Sequence, residues 1–406
     1  MRIAYLIHWN EGPESGVFKK IISQALSWKV LGHETALFLF SRGTAVAWDE
    51  AETGELPVFR EVYRGRLGRT PRFKALTARV RAWEPDVIYH RFDLYYASLP
   101  RLLRDYPSVL EINSNDVAEL ALEGSGLSPR RLFHLLTRRL VLAAAGGFVF
   151  VSGELAEADV FRRYAKSYAV IGNGIPLDQF AAGQERGGAL TPNGVEPSEP
   201  PARPVSGASV PAPAPTDAST KEEPIRFVFI SSPGQAWQGL DEIARLAAAK
   251  PDWGFDIIGP ERGELEMEGL QVPENMAFHG LLTRDRYQPL LDRADIAIGT
   301  LALYRKGMEE ASPLKVREYL ANGLPVIAAY RETDFPEPVP FFLELPGEPE
   351  NVVRHLSAIE SFAHNWRGRR VDREHVRHLD VTVKEAARAA YMQRIAGGRE
   401  RGDGAG

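Results

Sequence analysis

Cysteine is absent from all 406 residues, which excludes disulfides and thiolate metal sites and is compatible with a reducing compartment. A basic excess is absent too. The 49 Lys and Arg against 54 Asp and Glu leave a net charge of −5, so nucleic acid is not an expected partner. The longest apolar run, LVLAAAGGFVFV over 140–151, is well short of the roughly twenty residues that a membrane span needs. The opening MRIAYLIHW is followed by a charged, glycine-containing loop, so it reads as a first strand and not as a cleaved signal. A cytoplasmic location is the expectation.

What is present is a chain long enough for two domains of roughly 150 to 200 residues each. Short β-branched and aromatic runs alternate with helical patterns in both halves, which predicts an α/β fold of parallel sheets with crossover helices. The candidate strands are RIAYLIHW, TALFLF, DVIYH, SVLEI and GFVFV, then RFVFIS, FDIIG, DIAIGT and LPVIAA. Phe18, Ile21, Ile22, Ala25 and Leu26 form the apolar face of a first helix that Gly32 stops. Two doubly wound domains follow, over 1–180 and 225–385. Between them, 181–224 is rich in Pro, Ala, Gly and Ser with almost no large apolar residues, so it reads as a disordered linker. Residues 386–406 read as the end of a terminal helix and a flexible tail.

The stretch EEASPLKVREYLANGLPVI, 309–327, places Glu310 and Glu318 on either side of a Ser-Pro step. Ser312 as N-cap and Pro313 at N1 predict a helix start, and Asn322-Gly323 with Pro325 predicts its stop. The break leaves Glu310 in a loop and Glu318 inside the helix, so the two carboxylates flank a helix N-terminus. That end has free N–H groups at Leu314 and Lys315 and a partial positive charge, which suits phosphate, and Lys315 adds a full one. Carboxylates accept hydrogen bonds from hydroxyls. A ligand with phosphates in the middle and hydroxyl-rich groups on both sides matches, and a nucleoside diphosphate sugar has that layout. The bland alternative is a capped surface helix with solvated glutamates.

With Glu310, Ser312-Pro313-Leu314-Lys315, Glu318 and YLANGLPVIA in view, this region resembles the retaining GT-B glycosyltransferases of family 4, which carry two glutamates before an A-x-G-x-P-V-I strand. The resemblance extends to Gly12 to Gly16 as a glycine loop, to LGHETALF, VSGELAE and IGNGIPLDQF, and to HRFD with VLEINSND, in the family's order. It implies two Rossmann-like domains facing a cleft, an acceptor-binding N-terminal half and a C-terminal half that binds a nucleotide sugar, with transfer to a saccharide, lipid-linked or other hydroxyl acceptor; it also implies no divalent metal or cofactor, and the chain has no D-x-D triplet to hold a metal. By position, Glu310 would bind the transferred sugar and Glu318 the ribose. Gly16 and Ala311, Ser312, Pro313, Leu314 and Lys315 would surround the diphosphate, with Gly234, Trp237 and Gly239 beside it. The family usually carries an Arg and a Lys in a G-R-x-x-x-x-K-G segment; SSPGQAWQG has Gln235 and Gln238 near those places. Lys315, the helix N-terminus and the indole N–H of Trp237 are the candidates to compensate, and Trp237 has a core reading as well. A non-catalytic nucleotide-sugar-binding homologue is the alternative. A dinucleotide oxidoreductase is disfavoured, because NEGPESG replaces G-x-G-x-x-G and Ser41 stands where an acidic ribose ligand is expected.

On the acceptor side, Asn113 stands where many family members place a His, and it joins Glu310 as a catalytic candidate. Arg91 lies just past a strand, where α/β sheets present side chains to ligands. Glu111 and Glu119 complete the acceptor-side candidates. Residues 60–81 hold eight Lys or Arg and one acid, and RRLFHLLTRRL follows; either a solvated basic face or a peripheral contact with anionic membrane accounts for them. His375 and His378 have a spacing seen in metal sites but no third ligand nearby, so a helix surface is expected.

Overall fold

The computed structural model describes residues 1–10, 15–43, 53–122, 129–180 and 223–400. Gly12 of the expected glycine loop and residues 181–222 of the expected linker lie outside them. The first sheet contains β1 (Arg2–His8), β2 (Glu34–Arg42), β3 (Val58–Tyr63), β4 (Val87–Arg91), β5 (Ser108–Ile112), β6 (Gly147–Phe150) and β7 (Ser167–Val170). All are parallel, in the order β3-β2-β1-β4-β5-β6-β7.

The second half supplies β8 (Arg226–Ile230), β9 (Gly254–Ile258), β10 (Met276–Phe278), β11 (Ile296–Ile298), β12 (Glu310–Ala311), β13 (Val326–Ala328), β14 (Arg331–Glu332) and β15 (Phe342–Glu344). Six of these form a parallel sheet in the order β10-β9-β8-β11-β13-β15, and β12 pairs with β14 alone. The strand order reverses between β1 and β4 in one sheet and between β8 and β11 in the other. Crevices at the carboxyl ends of such reversals are where α/β sheets take ligands.

The central strands are buried on both faces, as parallel strands covered by helices must be, and they read as continuous apolar runs. One core of the first sheet packs Ile3, Tyr5, Phe18, Ile21, Ala25 and Trp28 together with Tyr391 and Met392. Those last two belong to the helix Val381–Glu400, which returns from the second half of the chain to cover the first sheet. Arg388, fully buried on this helix, donates to the carbonyls of Ile171 (3.0 Å) and Gly172 (2.9 Å) and pairs with Glu385 at 2.5 Å.

Six strands escape the sequence patterns: β3, β7, β10, β12, β14 and β15. VFREVY of β3 carries Arg60 and Glu61 in mid-strand because it is an edge, bonded only to β2, where charge blunts pairing with other chains. Strands β10 and β15 have three residues each, too few for an alternation to register.

Candidate active site

The helix Leu314–Ala321 starts where the Ser-Pro step predicts, but its N-cap is Pro313, and no side chain caps it. Ser312 is spent elsewhere: it is buried, and its Oγ accepts from the backbone N–H of Asn173 at 2.7 Å. The Asn173 side-chain amide donates to the Ser312 carbonyl at 2.5 Å, and the Arg317 Nε donates to the Asn173 carbonyl at 3.1 Å. Asn173 follows β7, so these bonds fasten the first half of the chain to the base of the helix. A side chain at Gly172 would collide with Asp334 and with Ser312 Oγ, which explains the glycine in IGNGIP. At the other end, Tyr319 fixes the helix under β8, its hydroxyl accepting from the Ile230 N–H at 2.7 Å.

With no side chain at the cap, the first amides of this helix keep their hydrogen-bonding capacity. Lys315 sits on this first turn. It is half-buried, it donates to Gln238 Oε1 at 2.7 Å, and it lies 4.1 Å from the centre of the Phe229 ring. Burial holds its ammonium well below the usual lysine range. Gln238 Oε1 also accepts from Thr300 Oγ1 (3.0 Å), and Gln238 Nε2 donates to Gln235 Oε1 (3.0 Å). The two glutamines thus orient Lys315. A cation at 238 would meet Lys315 at contact distance, and the neutral amide removes that repulsion.

Glu318 accepts from Tyr287 Oη at 2.8 Å and lies 3.8 Å from Arg284 Nε. Burial raises its carboxyl above the ordinary range despite the Tyr287 bond. Glu310 reaches across the cleft. Its Oε2 accepts from the Glu154 N–H at 2.8 Å, in the first turn of the short helix Gly153–Glu157. Glu154 returns the contact by accepting from the Glu309 and Glu310 amides at 2.8 Å each. Arg331 lies 3.3 Å from the other Glu310 oxygen.

Trp237 is half-buried in the segment that follows β8, with Lys306 4.8 Å over its ring, so it lines the cleft and is no core residue. Lys306 also donates to Glu119 across the cleft at 2.5 Å. Gly239 has φ +82°, and an added Cβ would stand 2.9 Å from that of Leu301, so only glycine fits. Gly234 likewise has a positive φ, in open space. Gly16 opens the helix Gly16–Val30, and a Cβ there would meet no atom of the described residues within 4 Å.

On the first sheet, Glu111 is placed differently from the acceptor-facing position expected of it. It is fully buried, paired with Lys20 at 2.8 Å and 3.7 Å from Arg91, so it braces the floor of the cleft from below. Burial opposes its ionisation, but the Lys20 and Arg91 charges outweigh this and hold its carboxyl far below the usual range. Burial in turn lowers Lys20 to about 8 against the pull of Glu111. Lys20 also donates to Asn113 Oδ1 at 3.1 Å, and the Asn113 amide nitrogen is buried with no partner among the described residues. Arg91 lies 5.8 Å from the Trp9 ring. His375 and His378 pack against Phe341 and Phe335.

Glu154, Asn173, Tyr287, Arg284, Lys306 and Lys20 carry no role in the sequence reading. Glu154 and Asn173 lie within VSGELAE and IGNGIPLDQF, so their neighbourhood was visible; the contacts themselves span more than 130 residues.

Two parallel sheets, joined by the Glu154–Glu310 and Glu119–Lys306 contacts, define the fold as GT-B. Residues 230–359 match the family model described as Glycosyl transferases group 1. Similar solved structures include Anabaena HepE in complex with UDP and glucose (16% identity, 97% of this chain and 99% of that one, TM-score 0.59). The lipopolysaccharide outer core galactosyltransferase WaaB in its apo form matches at 11% identity, 97% and 100% coverage and TM-score 0.58. Sucrose-phosphate synthase from Thermosynechococcus elongatus matches at 14% identity, 99% and 98% coverage and TM-score 0.61. No curated protein matches the chain.

Proposed function

We propose that this glycosyltransferase moves a sugar from a nucleoside diphosphate sugar to a hydroxyl acceptor with retention of configuration, in polysaccharide, glycolipid or glycoconjugate assembly. One observation carries the reading: a helix N-terminus that no side chain among the described residues caps carries Lys315 on its first turn, with Glu310 four positions before its first residue Leu314 and Glu318 four positions after it. The diphosphate takes the helix end and Lys315, Glu318 takes the ribose hydroxyls, and Glu310 takes hydroxyls of the transferred sugar. HepE is also described in complex with UDP-glucose, which supports a nucleotide-sugar donor.

Positioning and charge stabilisation then supply the rate. The acceptor hydroxyl approaches on the face the nucleotide leaves. Its oxygen bonds to the anomeric carbon as the bond to the diphosphate breaks, and a phosphate oxygen takes its proton. Lys315 and the helix amides meet the charge that develops on the leaving phosphate. Asn113, with its amide nitrogen free, addresses the sugar or acceptor from the first sheet, with Arg91 and Glu119 at the margin. Incubating the protein with a panel of nucleotide sugars and following release of nucleoside diphosphate tests the reading. Slow release with at least one donor is expected; binding without release across donors and acceptors would favour the non-catalytic alternative.

We also propose a peripheral seat at the inner face of an anionic membrane. No helix among the described residues is long and apolar enough to cross one. The helix Pro129–Ala144, however, exposes Leu132, Leu136 and Leu140, spaced four residues apart along one side, with Phe133 and Arg139 also exposed. The helix Gly65–Ala82 exposes Leu67 beside Arg66 and Lys74, although its Arg72 and Arg79 are taken by Glu61. Sedimentation with anionic liposomes at low salt and release at high salt are the expected result. Binding indifferent to both lipid charge and salt would remove this seat.

A further inference from the structure

Glu310 belongs to the second half of the chain, yet its segment is tied to both halves. Within its own half, the carbonyls of Glu309 and Ala311 accept from the backbone N–H groups of Arg331 (2.8 Å) and Thr333 (3.2 Å), which fixes β12 to β14. Its amides go to the first half: those of Glu309 and Glu310 both donate to Glu154 Oε2 at 2.8 Å. The contact is reciprocal, because the Glu154 N–H donates to Glu310 Oε2, also at 2.8 Å.

The first half is built to make this clasp. Glu154 lies in the first turn of the helix Gly153–Glu157, whose entry is fixed by Ser152 accepting from the Leu155 N–H at 3.4 Å. A Cβ at Gly153 would stand 3.3 Å from Glu310 Oε2, a tight approach, so the glycine lets the two segments meet. Bonds from amides to an ionised carboxylate are stronger than bonds between neutral groups, and three of them converge on one glutamate and the backbone that carries it. The clasp still leaves Glu310 able to bind. An ionised carboxylate offers about four lone-pair positions, of which the Glu154 amide takes one and Arg331 Nη2, 3.3 Å from Oε1, faces another. The side chain is 20% exposed, so a hydroxyl can reach the positions that remain.

We propose that Glu154 is a positioning residue for the transfer: its carboxylate and its backbone amide hold Glu310 in the orientation that takes the transferred sugar, so the grip on that sugar is complete only while the two halves are in contact. The inference rests on the role given to Glu310 in the glycosyltransferase reading above. It separates the two ends of the donor. Glu154 makes no hydrogen bond to Lys315 or Glu318 among the described residues, so its loss reaches the sugar and leaves the nucleoside diphosphate alone. A residue that only joined the halves would affect both ligands alike.

The test uses the full chain with Glu154→Ala and Glu154→Gln; Glu154 is half-buried, so neither substitution opens the core. Calorimetric titration with nucleoside diphosphates and with a panel of their sugars gives the increment in affinity that the sugar adds, and nucleoside diphosphate release gives turnover. Glu154→Ala should leave the affinity for the diphosphate alone unchanged, cut the sugar increment by roughly tenfold, the worth of one hydrogen bond to a charged group, and slow release with it. Glu154→Gln should recover most of both, because its side-chain oxygen still accepts from the Glu309 and Glu310 amides. Three results overturn the positioning role: increment and turnover unchanged in Glu154→Ala, a loss that extends equally to the diphosphate alone, or a Gln variant as impaired as the Ala variant. A wild type in which the sugar adds no affinity is a different failure, that of the parent reading, and it takes this proposal with it.

Discussion

Lys315→Met is expected to lower turnover by roughly 10²- to 10³-fold, the scale seen when one preorganised charge-stabilising donor is removed. The structure gives this lysine an unusual setting. Its ammonium is held by the neutral Gln238 and lies against Phe229, and burial depresses its ionisation. A charge kept under those conditions has a use only when an anion arrives. The sign of the pH dependence follows. With its ionisation depressed in the free protein, Lys315 is lost as a cation when the pH rises through that lowered value. A bound diphosphate restores it, so binding takes up a proton and weakens as the pH rises. Titration calorimetry in two buffers of different ionisation enthalpy should show this uptake in the wild type and none in Lys315→Met. Because the substitution removes a poorly solvated charge, the variant should be at least as stable as the wild type, the usual opposition of stability and activity at such sites.

Lys20→Met should act on folding instead, at a cost of about 3–5 kcal/mol, the range for breaking a buried ion pair from one side. Lys20 and Glu111 are 4% and 0% exposed at 2.8 Å, so the loss strands a carboxylate in the interior with Arg91 at 3.7 Å as its nearest remaining charge. In the wild type, the depressed Glu111 carboxyl contributes stability above its unfolded value that is lost only as the pH falls through its very low folded one. In the variant, burial dominates and the carboxyl shifts upward. The deficit relative to wild type should therefore be largest at neutral pH and shrink as the pH drops through the carboxylate range. Urea unfolding at neutral and mildly acidic pH measures both. A loss under 1 kcal/mol at neutral pH would mean that the pair does not brace the floor.

Much of this was readable from residues alone, because buried parallel strands announce themselves as apolar runs and SVLEI, for one, is β5 without a shift of register. The helix Leu314–Ala321 was equally visible, since proline and glycine punctuate it. Ser312 shows where local rules stop. Its side chain has the chemistry of an N-cap, yet Asn173, 139 positions away, competes for the same oxygen and wins. Gln238 is a similar case. Taken alone it looks like a lost cation, whereas next to Lys315 it is the residue that aims the cation that remains. Glu111 misleads for the opposite reason: its place at a strand end suggests exposure, and only the Lys20 side chain, arriving from another helix, reveals a brace.

The central claim is that two carboxylates on either side of an uncapped helix end grip the two sugars of a nucleotide-sugar donor. Its most direct measurement is the affinity of nucleoside diphosphate sugars, and of the nucleoside diphosphates alone, for wild type, Glu310→Gln and Glu318→Gln. Glu318→Gln should weaken both ligands by roughly 10- to 100-fold, and Glu310→Gln should remove only the increment that the transferred sugar adds. Unchanged affinities for both ligands in both variants would contradict the account.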